Sequence, residues 1–324
     1  MNKLFSLNSL LYIVMLALVT TSSLNIYKIK KRLKDIECES KAVASSNEVK
    51  VNSFSNPSTS YLFIGDNTGI ANLNHDLKIL FNTQDITIGY NLMIGNGWEN
   101  SLSDLMLTFV KPGDKVVDLG ANYGTHTLRL AKKINSDGKL QEKLFAFEAN
   151  PKVFGLLKRS VELNGLNNIV KIFNQLITDQ DNQEYLFTYS DEFNTGGAKI
   201  TPTTNSSYVH NLDKFVKLSS SKLDDAIPAG TKINFMKLDI EGAEFLALNG
   251  ATRVLEESKD EIVILLEWNY PLLKDAVENL NTLTQKYDFK VWMIRDGVPQ
   301  ALTELDKLEN FIGDIIISKK EITS

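Results

Sequence analysis

Val116-Val117-Asp118-Leu119-Gly120-Ala121-Asn122-Tyr123-Gly124 runs directly into Thr125-His126-Thr127-Leu128-Arg129-Leu130-Ala131. Two β-branched valines and a leucine make a short buried strand, and Leu128, Ala131 and Ile134 then recur at helical spacing. Between them Gly120 and Gly124 let the backbone turn tightly and let a ligand come close. The N–H groups at the start of the helix point into the same space, so the stretch predicts a ligand site at the carboxyl end of a parallel strand.

The first position of the turn narrows the ligand. A dinucleotide fold places G-x-G-x-x-G against a pyrophosphate, whereas the order here is Asp118-x-Gly120-x-Asn122-x-Gly124. An aspartate there repels a pyrophosphate and favours a cation. S-adenosylmethionine (SAM), which has no phosphate and carries a sulfonium and an ammonium group, suits it.

Outward from this turn, other segments fall into place. Leu144-Phe145-Ala146-Phe147 reads as the next strand and ends at Glu148, where a nucleoside-binding α/β fold keeps a carboxylate for the ribose hydroxyls. Asn150-Pro151 caps and opens a helix with Val153, Leu157 and Val161 along one face. Ile169–Phe173 makes a third strand. Glu184–Tyr189, the Asn194-Thr195-Gly196-Gly197 loop and Val216–Leu218 read as an insertion over the strand ends, where substrates are usually chosen.

A second stretch, Ile233 to Glu244, ends a buried strand in Lys237, Asp239 and Glu241, which period two puts on one side. Ala243, Leu246, Ala247, Gly250 and Val254 follow at helical spacing, then Ile262–Leu266 forms a fifth strand ending in Glu267. Asp118, Glu148, Asp239 and Glu267 are thereby expected on one acidic edge suited to a cationic cofactor. A helix over Leu272–Tyr287 and strands at Lys290–Ile294 and Asp314–Ser318 finish the pattern.

Before the turn, Tyr61–Ile64 and Ile86–Tyr90 read as short strands of an antiparallel lead-in, with turns at Gly65-Asp66-Asn67 and Asn96-Gly97. Leu102, Leu105, Met106 and Phe109 have helical spacing. Further back, Leu4–Tyr27 contains no charge, and as a helix it reaches roughly 36 Å, enough to cross a hydrocarbon core of about 30 Å. Lys28, Lys30, Lys31, Arg32 and Lys34 follow it and resist translocation, so the expectation is a single-pass anchor with the body in the cytoplasm. A cleaved signal peptide with export, using Thr21-Ser22-Ser23, is the alternative. The expected organisation is an anchor over 1–34, a linker over 35–60, lead-in strands and helix over 61–112, and the main domain over 113–324.

Composition excludes several classes. Six of the 35 Lys and Arg fall in the first 34 residues, which leaves 29 bases against 40 acids and a formal charge of −11 for the remainder. Nucleic acid is therefore not an expected partner. The single cysteine, Cys38, excludes an intrachain disulfide, and with only His75, His126 and His210 no metal site is expected.

With both stretches in view, the sequence from about Gly97 to Ser318 resembles the FkbM-type methyltransferases. The resemblance rests on Gly113-Asp114 before Val117–Gly124, on Phe147-Glu148-Ala149-Asn150-Pro151, on Leu223-Asp224-Asp225, and above all on Lys237-x-Asp239-x-Glu241-Gly242-x-Glu244. Ala149 stands where the family often has proline, and His126 where it commonly has an aromatic residue. The resemblance implies a Rossmann-like class I methyltransferase fold, a seven-stranded mostly parallel sheet with a C-terminal antiparallel hairpin. It also implies SAM as donor and O-methylation of a sugar or natural-product hydroxyl.

On that reading Asp118, Gly120, Ala121, Asn122, Gly124, Glu148 and Asp239 bind the cofactor. Asp239 or Glu241 is the first candidate for the base and His126 the second. The acceptor is a small molecule or glycan, and the anchor points to a lipid-linked saccharide at the membrane surface. The alternatives are a membrane-tethered, non-enzymatic interaction module and an NAD-dependent oxidoreductase.

Overall fold

The apolar runs lie side by side in one eight-stranded sheet of the computed structural model, which describes residues 61–74, 76–139, 141–188, 195, 199–202, 215–270, 272–273 and 275–322. Three antiparallel strands come first, β1 (Tyr61–Gly65), β2 (Thr68–Asn74) and β3 (Leu77–Asn82), followed by helices α1 (Ile88–Met93) and α2 (Asn100–Thr108). Next come β4 (Val116–Leu119), α3 (Thr125–Ile134), β5 (Leu144–Phe147), α4 (Pro151–Leu163) and β6 (Val170–Phe173). An insertion of β7 (Leu176–Ile177), β8 (Glu184–Thr188), β9 (Lys199–Pro202) and β10 (Phe215–Ser221) forms its own four-stranded sheet. After it stand α5 (Leu223–Ala226), β11 (Phe235–Leu238), α6 (Glu244–Asn249), α7 (Thr252–Ser258) and β12 (Val263–Asn269). The last described elements are α8 (Ala276–Tyr287), β13 (Lys290–Arg295), β14 (Val298–Leu302) and β15 (Ile312–Ser318).

Across the main sheet the order is β6-β5-β4-β11-β12-β15-β13-β14. The strands from β6 to β12 are parallel, and β15 runs antiparallel between β12 and β13. From β4 the chain steps outward to β6 and then returns to β11 on the other side of β4. That reversal opens a crevice at the carboxyl ends of β4 and β11.

Both faces of the sheet are covered, which is why its strands read as continuous apolar runs. One face packs Met236, Leu238, Ile264 and Leu266 against α6, α7 and α8. The other packs Val116, Phe235 and Leu265 against α2, α3, α4 and the lead-in strands. Lys237 pairs in register with Asp118 and with Leu265, so these polar side chains belong to the second face.

Four expectations need correction. The sheet has eight strands rather than seven, because β14 extends β13 through the turn Asp296-Gly297, with φ of 51° and 77°. Asp-Gly is a strong hairpin signal, but β14 is an exposed edge carrying Pro299 and shows no apolar alternation. Ile86–Tyr90 is not a strand. The Asp85 carboxylate accepts from Thr87 N–H at 2.8 Å and from Thr87 Oγ1 at 2.6 Å, and the Asp85 carbonyl accepts from Tyr90 N–H at 2.8 Å, turning the chain into α1.

The helix expected through Gly250 is broken there into α6 and α7. A Cβ on Gly250 would lie 2.0 Å from the Thr178 carbonyl oxygen, and Asp224 restarts the helix by accepting from Arg253 N–H at 2.8 Å and Val254 N–H at 2.9 Å. The Leu223-Asp224-Asp225 motif thus has a structural use. Finally, helix α8 begins at Ala276 rather than Leu272. Among the described residues no helix is long and apolar enough to cross a membrane, and the span expected at Leu4–Tyr27 lies outside them.

Candidate active site

Asp118 and Lys237, both fully enclosed, form the floor of the crevice. Lys237 Nζ lies 3.6 Å from Asp118 Oδ1 and 3.3 Å from Asp239 Oδ2, and it donates to the Gly120 carbonyl at 3.3 Å. The other oxygen of Asp118 accepts from Thr127 Oγ1 at 2.5 Å, tying β4 to the first turn of α3. Asp118 is 0% exposed, so it acts beneath the glycine turn and not at its surface. Burial disfavours the Lys237 ammonium, but Asp239, Asp118 and Glu99 outweigh it and hold the pKa above the ordinary lysine value.

Above this floor the turn is locked by Glu148. One of its carboxylate oxygens accepts from Asn122 N–H at 2.9 Å and the other from Asn150 N–H at 2.8 Å. Asn122 is left-handed at φ 49°, and its side chain accepts from Tyr123 N–H at 2.8 Å and from Thr195 Oγ1 at 3.3 Å. The insertion therefore does reach the turn. Gly120 is itself left-handed at φ 80°, and a Cβ on it would lie 1.9 Å from the Asp239 carbonyl oxygen. The ends of β4 and β11 are pressed together at a distance that only glycine permits.

Strand β11 ends at Leu238, one residue before the alternation of Lys237, Asp239 and Glu241 would have carried on. Glu241 instead takes its place through a left-handed turn with φ of 55°. Glu244 holds that turn: its carboxylate, 1% exposed, accepts from Ile240 N–H at 3.0 Å and from Gly242 N–H at 3.0 Å. One carboxylate oxygen each from Asp239, Glu241 and Glu267 lie within 4.8 Å of one another.

His126 faces away from open space. It is 5% exposed, with Nδ1 2.9 Å from Ser103 Oγ and Nε2 3.2 Å from Glu99 Oε2. Glu99 is the member of this pair that meets solvent, at 36% exposure. Burial alone would raise the Glu99 pKa, but the hydrogen bond and charge of His126 outweigh it and hold the carboxyl below the ordinary range. Glu99, Thr127 and Glu244 received no role from the sequence. The first two meet partners across turns and elements, which no local spacing announces. The Glu-Gly-x-Glu spacing is the one signal that could have marked Glu244.

Two carboxyls at the site, Glu148 and Glu244, are shifted upward. Burial pushes Glu148 to about 7 against the pull of the Asn150 and Asn122 N–H groups, and burial pushes Glu244 to about 7 despite its backbone donors. A carboxyl raised in the folded state opposes folding once it ionises. The penalty is absent below the unfolded pKa, grows as pH rises through it, and is complete above about 7. The urea midpoint should therefore fall between pH 5 and pH 8, with up to roughly 3 kcal/mol lost for each group. A flat profile over that range, or a rise, contradicts the burial of these two acids.

No curated protein sequence matches the chain. Among solved structures, the FkbM methyltransferase of Methylobacillus flagellatus shares 15% identity, covering 64% of this chain and 44% of its own, with a TM-score of 0.41. The chain thus spans less than half the length of that protein. TYW2 of M. jannaschii, solved in complex with AdoMet, shares 14% identity over 79% of this chain and 86% of its own, with a TM-score of 0.41. A SAM-dependent O-methyltransferase of Thermotoga maritima shares 14% identity over 70% of this chain and 67% of its own, with a TM-score of 0.37. The methyltransferase FkbM domain matches residues 118–291, more than half of the chain, from Asp118 through Glu148, Lys237 and Glu267. The chain belongs to the FkbM methyltransferase family.

Proposed function

We propose that this chain moves a methyl group from SAM to a hydroxyl of a sugar, glycan, lipid-linked saccharide or other metabolite. The observation that carries the reading is Glu148 at the end of β5. Each of its oxygens is used once by a backbone N–H of the turn, and each retains a second lone pair for a ribose hydroxyl. The charge around Lys237 supports the same donor. Three carboxylates, Glu99, Asp118 and Asp239, act on one ammonium, and the surplus of negative charge suits a cofactor with two positive groups.

Asn122, Ala121 and the backbone from Gly120 to Gly124 would hold the rest of the cofactor, with Asp239 at its ammonium end. When bound, SAM supplies a methyl carbon already activated by the sulfonium. The protein's part is then to align the acceptor oxygen and take its proton. Asp239 or Glu241 would take that proton, while His126 would act by orienting Glu99 through the contact between Nε2 and Glu99 Oε2.

Asp66, Asn67, Asn82, Gln84, Lys152 and Thr195 line a hollow of about 330 Å³ beside the turn, and their amides, charges and hydroxyls match a polyhydroxylated acceptor. An anchor at Leu4–Tyr27 with a cytoplasmic body is part of the same proposal, supported by its basic flank. The test is to incubate the full chain with methyl-labelled SAM and a panel of soluble and membrane-embedded saccharides. Label in an alkali-stable ether product is the expected result. Label found only in alkali-labile esters, or transferred to none of them, contradicts O-methylation of such acceptors.

A further inference from the structure

Glu99 opens α2 in the left-handed region, with φ and ψ both 46°. Two glycines just before it, Gly95 at φ 78° and Gly97 at φ 67°, turn the same way freely, whereas a residue with a Cβ is strained there. Nor does the side chain serve the helix. It makes no capping hydrogen bond, which Asp, Asn or Ser at that place would supply. Local preference thus disfavours glutamate here on two counts, and such a residue is expected where its side chain is needed elsewhere.

What the side chain meets is His126, in the first turn of α3 and two residues past Gly124. Glu99 Oε2 stands at Nε2 of the ring and Ser103 Oγ at Nδ1, so two residues one turn apart on α2 hold both ring nitrogens. With a carboxylate against it, Nε2 carries a proton and donates it. Ser103 and His126 are enclosed, while Glu99 opens to solvent. Its charge also reaches the floor of the crevice, where it acts on the Lys237 ammonium beside Asp239 and Asp118 and is felt against Asp239. A pair that only fastened α2 to α3 would need neither an open carboxyl nor a place beside Lys237. Because His126 holds it below the ordinary range, the Glu99 carboxyl stays ionised at neutral pH; it is a poor base and a lasting partner for a cation.

We propose that Glu99 is a further cofactor-binding residue, meeting the ammonium end of SAM together with Asp239, and that His126 and Ser103 are positioning residues that hold it there. The inference rests on the methyl-transfer reading for its ligand. It also gives His126 a use that fits its surroundings, since a ring with both nitrogens engaged inside the fold has none left for an acceptor hydroxyl. The chemistry of the ligand offers a direct discrimination. SAM and S-adenosylhomocysteine carry the ammonium group, whereas 5′-methylthioadenosine lacks it and keeps the adenine, the ribose and the sulfur.

The test is calorimetric titration of these three ligands into the full chain, wild type, Glu99→Gln and His126→Ala. Glutamine keeps the length of the side chain and an oxygen for Nε2, so the charge is removed while the hold on α3 remains. Glu99→Gln is expected to bind SAM and S-adenosylhomocysteine about ten- to a hundredfold more weakly and methylthioadenosine within about twofold of wild type. His126→Ala, which releases the carboxylate without removing it, should show the same selectivity with a smaller loss. A residue needed only for the fold would weaken all three ligands alike. That result, or unchanged SAM affinity in a folded Glu99→Gln chain, overturns the role of Glu99 and leaves the methyl-transfer reading in place. A folded wild-type chain that binds none of the three removes that reading and the role of Glu99 with it.

Discussion

Gly120→Ala is expected to abolish cofactor binding and to destabilise the domain by on the order of 3 kcal/mol or more. The added Cβ would lie 1.9 Å from the Asp239 carbonyl oxygen and 2.9 Å from its carbonyl carbon, so the obstacle is backbone, which has no rotamer to change. Relief requires the ends of β4 and β11 to part, and with them the Lys237 contacts to the Gly120 carbonyl, Asp118 and Asp239. Gly138→Ala is the control. Its φ of 74° is as left-handed as the 80° of Gly120, but nothing lies within 4 Å of its added Cβ. Strain alone should then cost only about 1 kcal/mol. Denaturant unfolding of the two variants separates collision from strain. Equal stability, with cofactor binding kept in Gly120→Ala, refutes the close approach.

Lys237→Met is expected to cost about 3–5 kcal/mol, because it leaves Asp118 fully buried with no counter-charge. Methionine preserves most of the stem, so lost packing is a small part of the change. The coupled variant Lys237→Met with Asp118→Leu removes both charges and should recover much of the stability, since isolated buried charge is what the single change creates. Cofactor binding should not recover with it, because the turn loses its tie from Asp118 to Thr127 and from Lys237 to the Gly120 carbonyl. Urea titration of both variants reads the first effect, and SAM titration reads the second. A single variant as stable as wild type would show that Lys237 is not the charge that makes Asp118 tolerable.

The parallel core was legible in the sequence because its strands are buried on both faces and its helices carry regular apolar stripes. Val116–Leu119, Leu144–Phe147 and the Asn150-capped helix from Pro151 all formed as their local signals dictate. Elements whose boundaries depend on distant groups were not legible. The break at Gly250 needs the Thr178 carbonyl, and the helix at Ile88–Met93 needs the Asp85 side chain to overrule an alternating β-branched run.

The site divides in the same way. Glycines, strand-end acids and Glu148 follow from spacing along single elements. Asp118 reads as an exposed strand-end acid, and only the register of β4 with β11 reveals that it is buried against Lys237. His126 reads as a candidate base, and only the fold brings Ser103 and Glu99 to its two ring nitrogens. The convergence of Glu241 with Glu267 depends on a left-handed turn pinned by Glu244, which strand periodicity does not anticipate.

The most direct measurement is a calorimetric titration of SAM into the full chain and its Glu148→Ala variant side by side, with NAD as the control ligand. Saturable SAM binding is expected, weakened roughly ten- to a hundredfold in the variant through loss of charge-assisted bonds worth about 1.5–3 kcal/mol. NAD should show no saturable binding, since the turn lacks the G-x-G-x-x-G spacing that brings bare backbone against a pyrophosphate. SAM bound equally well by a folded Glu148→Ala chain, or NAD bound in its place, would contradict the assignment of this turn to SAM.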